Sequence, residues 1–347
     1  MINYSSLQID KLAIHRVGNQ QRQEKNFISE SLFQLNEEME SALTKYFMKP
    51  IKKSEDHYRF QHSTDLSYNE VYNYAKKVFD DDLTLHEQSV NIVQHLFNQS
   101  THPNIKSGEV YVAYFKDLVI EDEVVDALGV FKSERKSTFL KVASTGNNLM
   151  IDTMEGIHIE KLDKGCLILN TESEDGFRVL SVDNNNYDAL YWTHHFLNID
   201  FVADENFHTK LYLEMCNEFS ADVVAENSDR REQVQFLADS IDYFTKNEKF
   251  NFEDFTEQVI GEKEEYKKEF KEYQADFGLD TINNFEISDT ALKTAKKKVK
   301  NLIKLDTNIQ IKLDFNDPDV SKHFIEKGYD EARGMHFYKV FFNEEEA

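Results

Sequence analysis

The sequence predicts an α+β protein: an antiparallel β-meander with N-terminal helices, then a helical region and a short C-terminal αβ piece. Three observations carry that expectation. The runs Gly108–Phe115 and Val124–Lys132 are dense in β-branched and aromatic residues, the types that suit a pleated, half-buried surface. Further strand-like runs follow between Thr138 and Val182, separated by Gly146-Asn147, Asp163-Lys164-Gly165 and Asp175-Gly176, the punctuation of an antiparallel sheet. From about Asp204 the apolar spacing changes to three and four residues, which is the helical repeat. That change divides the chain into an α+β domain, 1–200, and a mainly helical domain, 201–347, ending in two strands.

Taken in order, Gln8–Val17 alternates its apolar positions and reads as a strand ending at the turn pair Gly18-Asn19. His15 within it reads as a partnered structural residue, since no second His stands at ligand spacing. Leu32, Leu35, Met39, Leu43 and Phe47 predict a helix from about Ile28 to Met48, closed by Pro50. Ser67 to Glu70 and Thr84 to Glu87 have the capping-box pattern, in which a hydroxyl and a carboxylate each satisfy an orphaned backbone N–H. The apolar faces behind them are Val71, Tyr74, Ala75, Val78 and Leu85, Ile92, Val93, Leu96. Asn98 to Gly108 is a loop, and the acidic Asp117–Glu123 is expected to connect the opening hairpin. The strands after it are Thr138–Ala143, Asn148–Ile151, Gly156–Ile159, Gly165–Leu169 and Phe177–Val182. In the second half, the stripes Leu211, Met215, Phe219, Val223; Val234, Leu237, Ile241, Phe244; and Tyr266, Phe270, Tyr273, Phe277 predict packed helices. Ile309–Phe315 and Met335–Phe342 return to strand.

The 347 residues include 11 Gly and 3 Pro, too few for long flexible linkers, and 40% hydrophobic content is that of a folded chain. A net charge of -24 repels phosphate at long range, which argues against wholesale coating of nucleic acid. It leaves room for a local basic patch, or for contact with basic proteins. Cys166 and Cys216 make no disulfide framework and suit a reducing cytosol. The start Met1-Ile2-Asn3-Tyr4-Ser5 lacks the form of a signal peptide, and no apolar run reaches the roughly 20 residues that span a bilayer. A cytoplasmic protein without membrane attachment is expected.

The chain shows no phosphate loop, dinucleotide fingerprint, nucleophile elbow or His-Glu-x-x-His. Asp80-Asp81-Asp82 lacks the alternating acids and glycine of a calcium loop. His194 and His195 diverge on a helix by about 100°, and do not chelate together without a third ligand. Asp314, Asp317 and Asp319 flank Pro318 and read as a strand exit. No catalytic residue, metal or cofactor is expected.

One constellation stands out. Thr290–Lys304 contains six lysines and no carboxylate. On a helix, Lys293, Lys296, Lys297, Lys300 and Lys304 fall on one arc, and Leu292, Ala295, Val299, Leu302 and Ile303 on another. The plain alternative to a phosphate-tracking ridge is a solvated face paired with the acidic remainder. Replacing those five lysines with Glu is the corresponding test of DNA binding, and contacts of this kind would carry no sequence preference.

The segment Ile9–Val17, the hairpin Gly108–Lys132, the helical Leu211–Phe244 and the late strand Ile309–Phe315 together resemble the NdpA (YejK-type) nucleoid-associated proteins of bacteria, in order and spacing over nearly the whole chain. The chain departs from that pattern before the late strand, where Lys304-Leu305-Asp306-Thr307-Asn308 stands in place of a glycine-rich approach. The resemblance implies a non-enzymatic cytoplasmic protein resident at the nucleoid. Its expected partners are DNA and DNA-handling proteins such as topoisomerases, with oligomeric state open and a homodimer among the options. The alternative from another class is a metal-dependent nuclease.

Overall fold

The computed structural model describes the chain except residues 1, 5, 55, 121–122, 147, 185–189, 229, 299–301, 313–324, 343 and 345–347, with backbone alone for 230–231, 297–298, 302–304 and 312. The chain divides into two compact units, Met1–Val202 and Ala203–Ala347.

The first unit is built on one antiparallel sheet of β1 (Ile2–Asn3), β2 (Gln8–Val17), β3 (His57–Phe60), β4 (Gly108–Ile120), β5 (Glu123–Ser133), β8 (Lys164–Leu169), β9 (Arg178–Asp183) and β10 (Ile199–Phe201). The order is β1-β4-β5-β8-β9-β3-β10, with β2 also on β4. Between β5 and β8 the chain makes an excursion as a separate hairpin, β6 (Lys136–Thr145) and β7 (Asn148–Ile157).

Both faces of the sheet are covered, which explains the unbroken apolar run at its centre. Successive side chains of β4 alternate between two cores. Val110, Val112 and Tyr114 join helices α2 (Glu70–Asp80) and α3 (Leu85–Gln99), with Val71, Val78, Ile92 and Leu96 fully buried there. Tyr111, Ala113 and Phe115 join α1 (Glu37–Ile51) through Tyr46, Phe47, Met48 and Ile51.

Four local expectations are corrected. The helix expected from Ile28 starts at Glu37, because the preceding residues give their backbone groups to the free edge of β2. Arg16 and Phe27 exchange N–H···O bonds of 2.8 Å, and the Phe33 N–H donates to Leu12 O at 2.7 Å. Asn36 then caps the helix, its Oδ1 accepting from Met39 N at 2.8 Å. Pro50 lies inside the last turn, where it forfeits only its own donor, and Lys52 N still reaches Met48 O.

Neither capping box forms. Asn69 caps α2, its Oδ1 accepting from Tyr72 N at 2.9 Å while its amide donates to Gln61 O, Leu197 O and Asn198 O. Thr84 begins α3 without a side-chain cap, its hydroxyl donating to Asp81 O instead. The acidic stretch expected as a loop is mostly strand. A bulge between Phe115 and Leu118, with Asp117 at φ 61°, lets the chain shed a charge and return Leu118 and Ile120 to the core. Ile157 ends β7 rather than opening a new strand.

The second unit packs α4 (Glu205–Phe219), α5 (Ala225–Asn227), α6 (Arg230–Lys246), α7 (Phe252–Phe255), α8 (Glu264–Asp276) and α9 (Asp289–Lys298). Asp204 caps α4, its carboxylate accepting from Phe207 N at 2.9 Å, at the residue where the apolar period changes. The core is aromatic: Phe219 meets Phe270 edge-on at 5.0 Å and 89°, and Phe250 stacks on Phe285 at 4.8 Å. Among the described residues three two-stranded antiparallel sheets accompany the helices, β11 (Lys249–Asn251) with β12 (Asn284–Glu286), β13 (Leu302–Lys304) with β14 (Gln310–Lys312), and β15 (Ile325–Asp330) with β16 (Met335–Val340).

Candidate nucleic-acid interface

The lysine ridge is not one helical face. α9 ends at Lys298, and Lys304 lies on β13, whose partner is β14 in the register Leu302↔Lys312 and Lys304↔Gln310. The turn explains the break. Asn308 takes a left-handed conformation at φ 63°, and Leu305 N donates to Ile309 O at 2.9 Å, so hairpin pairing overrides the helical pattern. Lys293 and Lys296 are exposed on α9 beside the buried Ala291 and Leu292. Lys297 continues the α9 backbone, and Lys300 lies outside the described residues.

A second group of cations lies in the first unit, where the β6–β7 hairpin leaves the sheet. A cleft of 710 Å³ is lined by Lys49 and Lys53 from the end of α1, by Arg135 and Lys136 at the root of β6, and by Lys161 and His158 from the return to β8. The five Lys and Arg side chains are exposed. Three carboxylates also line it, Glu160, Asp163 and Asp183, and each is already engaged. Glu160 pairs with Lys49, and with Lys45 at 3.5 Å. Asp163 accepts the backbone N–H groups of Glu134 at 2.7 Å and Arg135 at 3.1 Å, and so fixes the root of the hairpin. Asp183 pairs with Lys164. Among the described residues no ion pair is seen for Lys53 or Lys161, which bring their charge to the cleft unneutralised.

Asp183 connects the cleft, through Lys164, to a buried ionic layer. Lys132 is fully buried and donates to Lys106 O at 2.6 Å and Glu134 Oε1 at 2.7 Å. Burial pushes its ammonium down, with Glu134 opposing. Lys132 and Lys164 both lie over the Tyr191 ring, at 5.5 and 5.9 Å. Ammonium and guanidinium groups lining one cleft can hold phosphate oxygens by charge-assisted hydrogen bonds.

Two of the other candidates have structural employment. Asp81 caps the turn before α3, accepting from Leu83 N at 3.0 Å, and Asp82 pairs with Lys11 at 2.6 Å. His194 and His195 are exposed on the short π-helix Tyr191–Leu197. Asp314, Asp317 and Asp319 lie outside the described residues. Among the described residues no group of three or more His, Cys, Asp or Glu is placed to hold a metal ion. Cys166 and Cys216 are free and buried, burial pushing each thiol up to about 12.

The match to the family model described as Nucleoid-associated protein YejK runs over residues 13–333, nearly the whole chain. The protein belongs to that family. The YejK family match takes in every cleft residue and the region of the C-terminal lysines alike. No curated protein sequence matches the chain, and no described helix is long and apolar enough to cross a membrane.

The cleft was not legible as a site because its cations are scattered from Lys49 to Lys161. The available signals were two short basic clusters, Lys49-Pro50-Ile51-Lys52-Lys53 and Lys132 to Lys136, which separate elements bring together.

Proposed function

We propose that this YejK-family protein acts without catalysis at the bacterial nucleoid, in the cytoplasm, gripping DNA locally through the cleft at the hairpin root. Lys49, Lys53, Arg135, Lys136 and Lys161 take the phosphates there. Lys293 and Lys296, with Lys297, Lys300 and Lys304, supply a secondary contact, and the acidic remainder stays free for basic DNA-handling proteins such as topoisomerases. The observation that carries this reading is a cluster of five exposed cations, of which Lys53 and Lys161 have no ion pair among the described residues, on a chain of net charge -24. Phosphate contacts of this kind position the duplex without reading its sequence.

The test is duplex DNA titrated with the full chain at low and moderate salt. Exchanging Lys49, Lys53 and Lys161 together for Glu is expected to weaken binding by about a hundredfold or more at 0.1 M salt, and to flatten the slope of log K against log salt by about 2.7. Exchanging Lys293 and Lys296 for Glu is expected to cost about tenfold. Equal affinity of the first variant and the unaltered protein would remove the cleft from the account. In the same tubes, DNA incubated with magnesium or manganese stays intact. Cleavage abolished by a single acid-to-Ala exchange would favour the nuclease reading instead.

A further inference from the structure

The second unit has a cavity of its own, of 430 Å³, where β11 runs into α7 beside α8 and the turn into β12. That size is within the range of small-molecule sites, about 300 to 1,000 Å³. Its walls are rich in amides, and the bonds around them fix which way each amide points. Gln274 of α8 borders the cavity and is only 2% exposed. The Tyr212 hydroxyl gives its proton to Ile282 O, so it meets Gln274 as an acceptor. Gln274 Nε2 therefore donates to Tyr212 Oη, at 2.8 Å, and also to Asn283 Oδ1, at 3.0 Å. Both N–H groups are used, and Oε1 has no hydrogen-bond partner among the described residues. The polar groups of buried side chains are normally paired, so this carbonyl calls for a donor from within the cavity.

A second amide is oriented in the same way. Asn251 Oδ1 accepts from Asp254 N at 2.9 Å, so its Nδ2 donates to Asn284 Oδ1 at 2.7 Å. Asn284 Nδ2 is left as a donor at the rim, with no partner among the described residues.

Three charged side chains line the same space, Lys271 of α8, Glu253 of α7 and Asp280 of the turn. All are exposed, and among the described residues no ion pair is seen for any of them. By themselves they would be a solvated rim; the unpaired Gln274 carbonyl makes them a site. Lys271 and Gln274 stand three residues apart, on one face of α8. Leu279 N donates to Gln274 O at 2.8 Å, which ties Asp280 to the end of α8 that carries Gln274. Opposite charges that share a cavity without closing on each other leave room for a dipolar guest. A phosphate would face two carboxylates for one ammonium. A polyamine offers nothing to Lys271 or Asn284 Nδ2, and a sugar leaves every charge unmatched. A free α-amino acid answers each group: its ammonium suits Gln274 Oε1 and Asp280, and its carboxylate suits Lys271 and Asn284 Nδ2. Glu253 then remains, and a cationic side chain on the guest neutralises it.

We propose that this cavity binds a free α-amino acid with a cationic side chain. All of its residues lie in the second unit, so the site does not depend on the DNA reading above.

The test is calorimetric titration of the full chain, without nucleic acid, with L-arginine and with L-lysine. At least one is expected to bind with a dissociation constant of about 0.1 mM or below. L-Glutamate, whose side chain meets Glu253 with like charge, is expected to bind at least about tenfold more weakly. Lys271→Ala and Asp280→Asn alter exposed side chains and are each expected to weaken binding by about tenfold. Gln274→Met is expected to cost more, about a hundredfold, and far-UV circular dichroism reports whether it is folded. Should it not fold, the two exposed variants carry the test. Mere attraction of a cation to an acidic chain would leave Lys271→Ala binding as tightly or more tightly, and that result overturns the proposal. So does unaltered affinity in Asp280→Asn or in a folded Gln274→Met, spermidine binding as tightly as the amino acids, or the absence of saturable heat up to about 10 mM.

Discussion

Replacing Phe131 with Ala is expected to destabilise the first unit by about 4 to 5 kcal/mol, at the upper end for loss of a buried aromatic ring. Phe131 is fully buried, stacks on Phe47 of α1 at 4.1 Å and 3°, and meets Phe115 edge-on at 6.3 Å and 90°. Its seat is made by two glycines. A Cβ at Gly129 would stand 2.4 Å from the Phe131 ring, and one at Gly165 2.7 Å. Neither neighbour has a side chain with which to fill the space the ring would leave, so the void persists. The measurement is a urea melt followed by Trp192, with the midpoint lowered by about 2 M. A shift under about 0.5 M would show that the two cores do not depend on this stack. The ring also joins α1 to β5, whose following residues Arg135 and Lys136 line the cleft, so a folded remnant should bind DNA less well.

Acid should weaken the same unit through His15. The ring is buried, its Nδ1 accepts from Ser29 N at 3.1 Å, and its Nε2 lies 2.8 Å from Ser89 Oγ. Ser89 Oγ gives its own proton to His86 O at 2.7 Å, so the neutral Nε2–H form satisfies every partner. Burial first, and the neighbouring His86 second, push His15 down to about 4 from an ordinary 6.5. The unfolded chain therefore binds the proton more readily. The contribution is fully present above pH 6.5 and is lost as pH falls towards 4, on the order of 2 kcal/mol after allowance for solvent relaxation around the ring. His15→Gln should remove that slope between pH 6.5 and 4 in a series of melts. An unchanged slope would place the acid sensitivity elsewhere.

Much of the architecture was legible because single residues carried strong signals. The alternation in Gln8–Val17 and the apolar density of Val110–Phe115 gave strands where strands stand, and Asp204 marks the change to helix that it also caps. What was misread depended on partners distant in sequence. Leu32 and Leu35 have helical spacing, yet the chain around them is recruited by the edge of β2 before α1 begins. Leu118 and Ile120 hide within an acidic stretch until a bulge turns them inward. The lysine ridge looked continuous because lysines suit a helix, but Asp306-Thr307-Asn308 between two apolar pairs is a hairpin turn, and the pairing won. The cleft showed in the sequence only as two short basic clusters far apart in the chain. Its cations come from α1, β6 and the return to β8, which only the folded sheet brings together.

The central claim is that a basic cleft on an acidic chain holds this protein on the nucleoid. Its most direct test is the distribution of the fluorescently tagged full chain against stained DNA in living bacterial cells. The unaltered protein should be concentrated over the compacted DNA, and the variant with Lys49, Lys53 and Lys161 exchanged for Glu should spread evenly through the cytoplasm at the same abundance. Enrichment of that variant over the DNA equal to that of the unaltered protein would contradict the account.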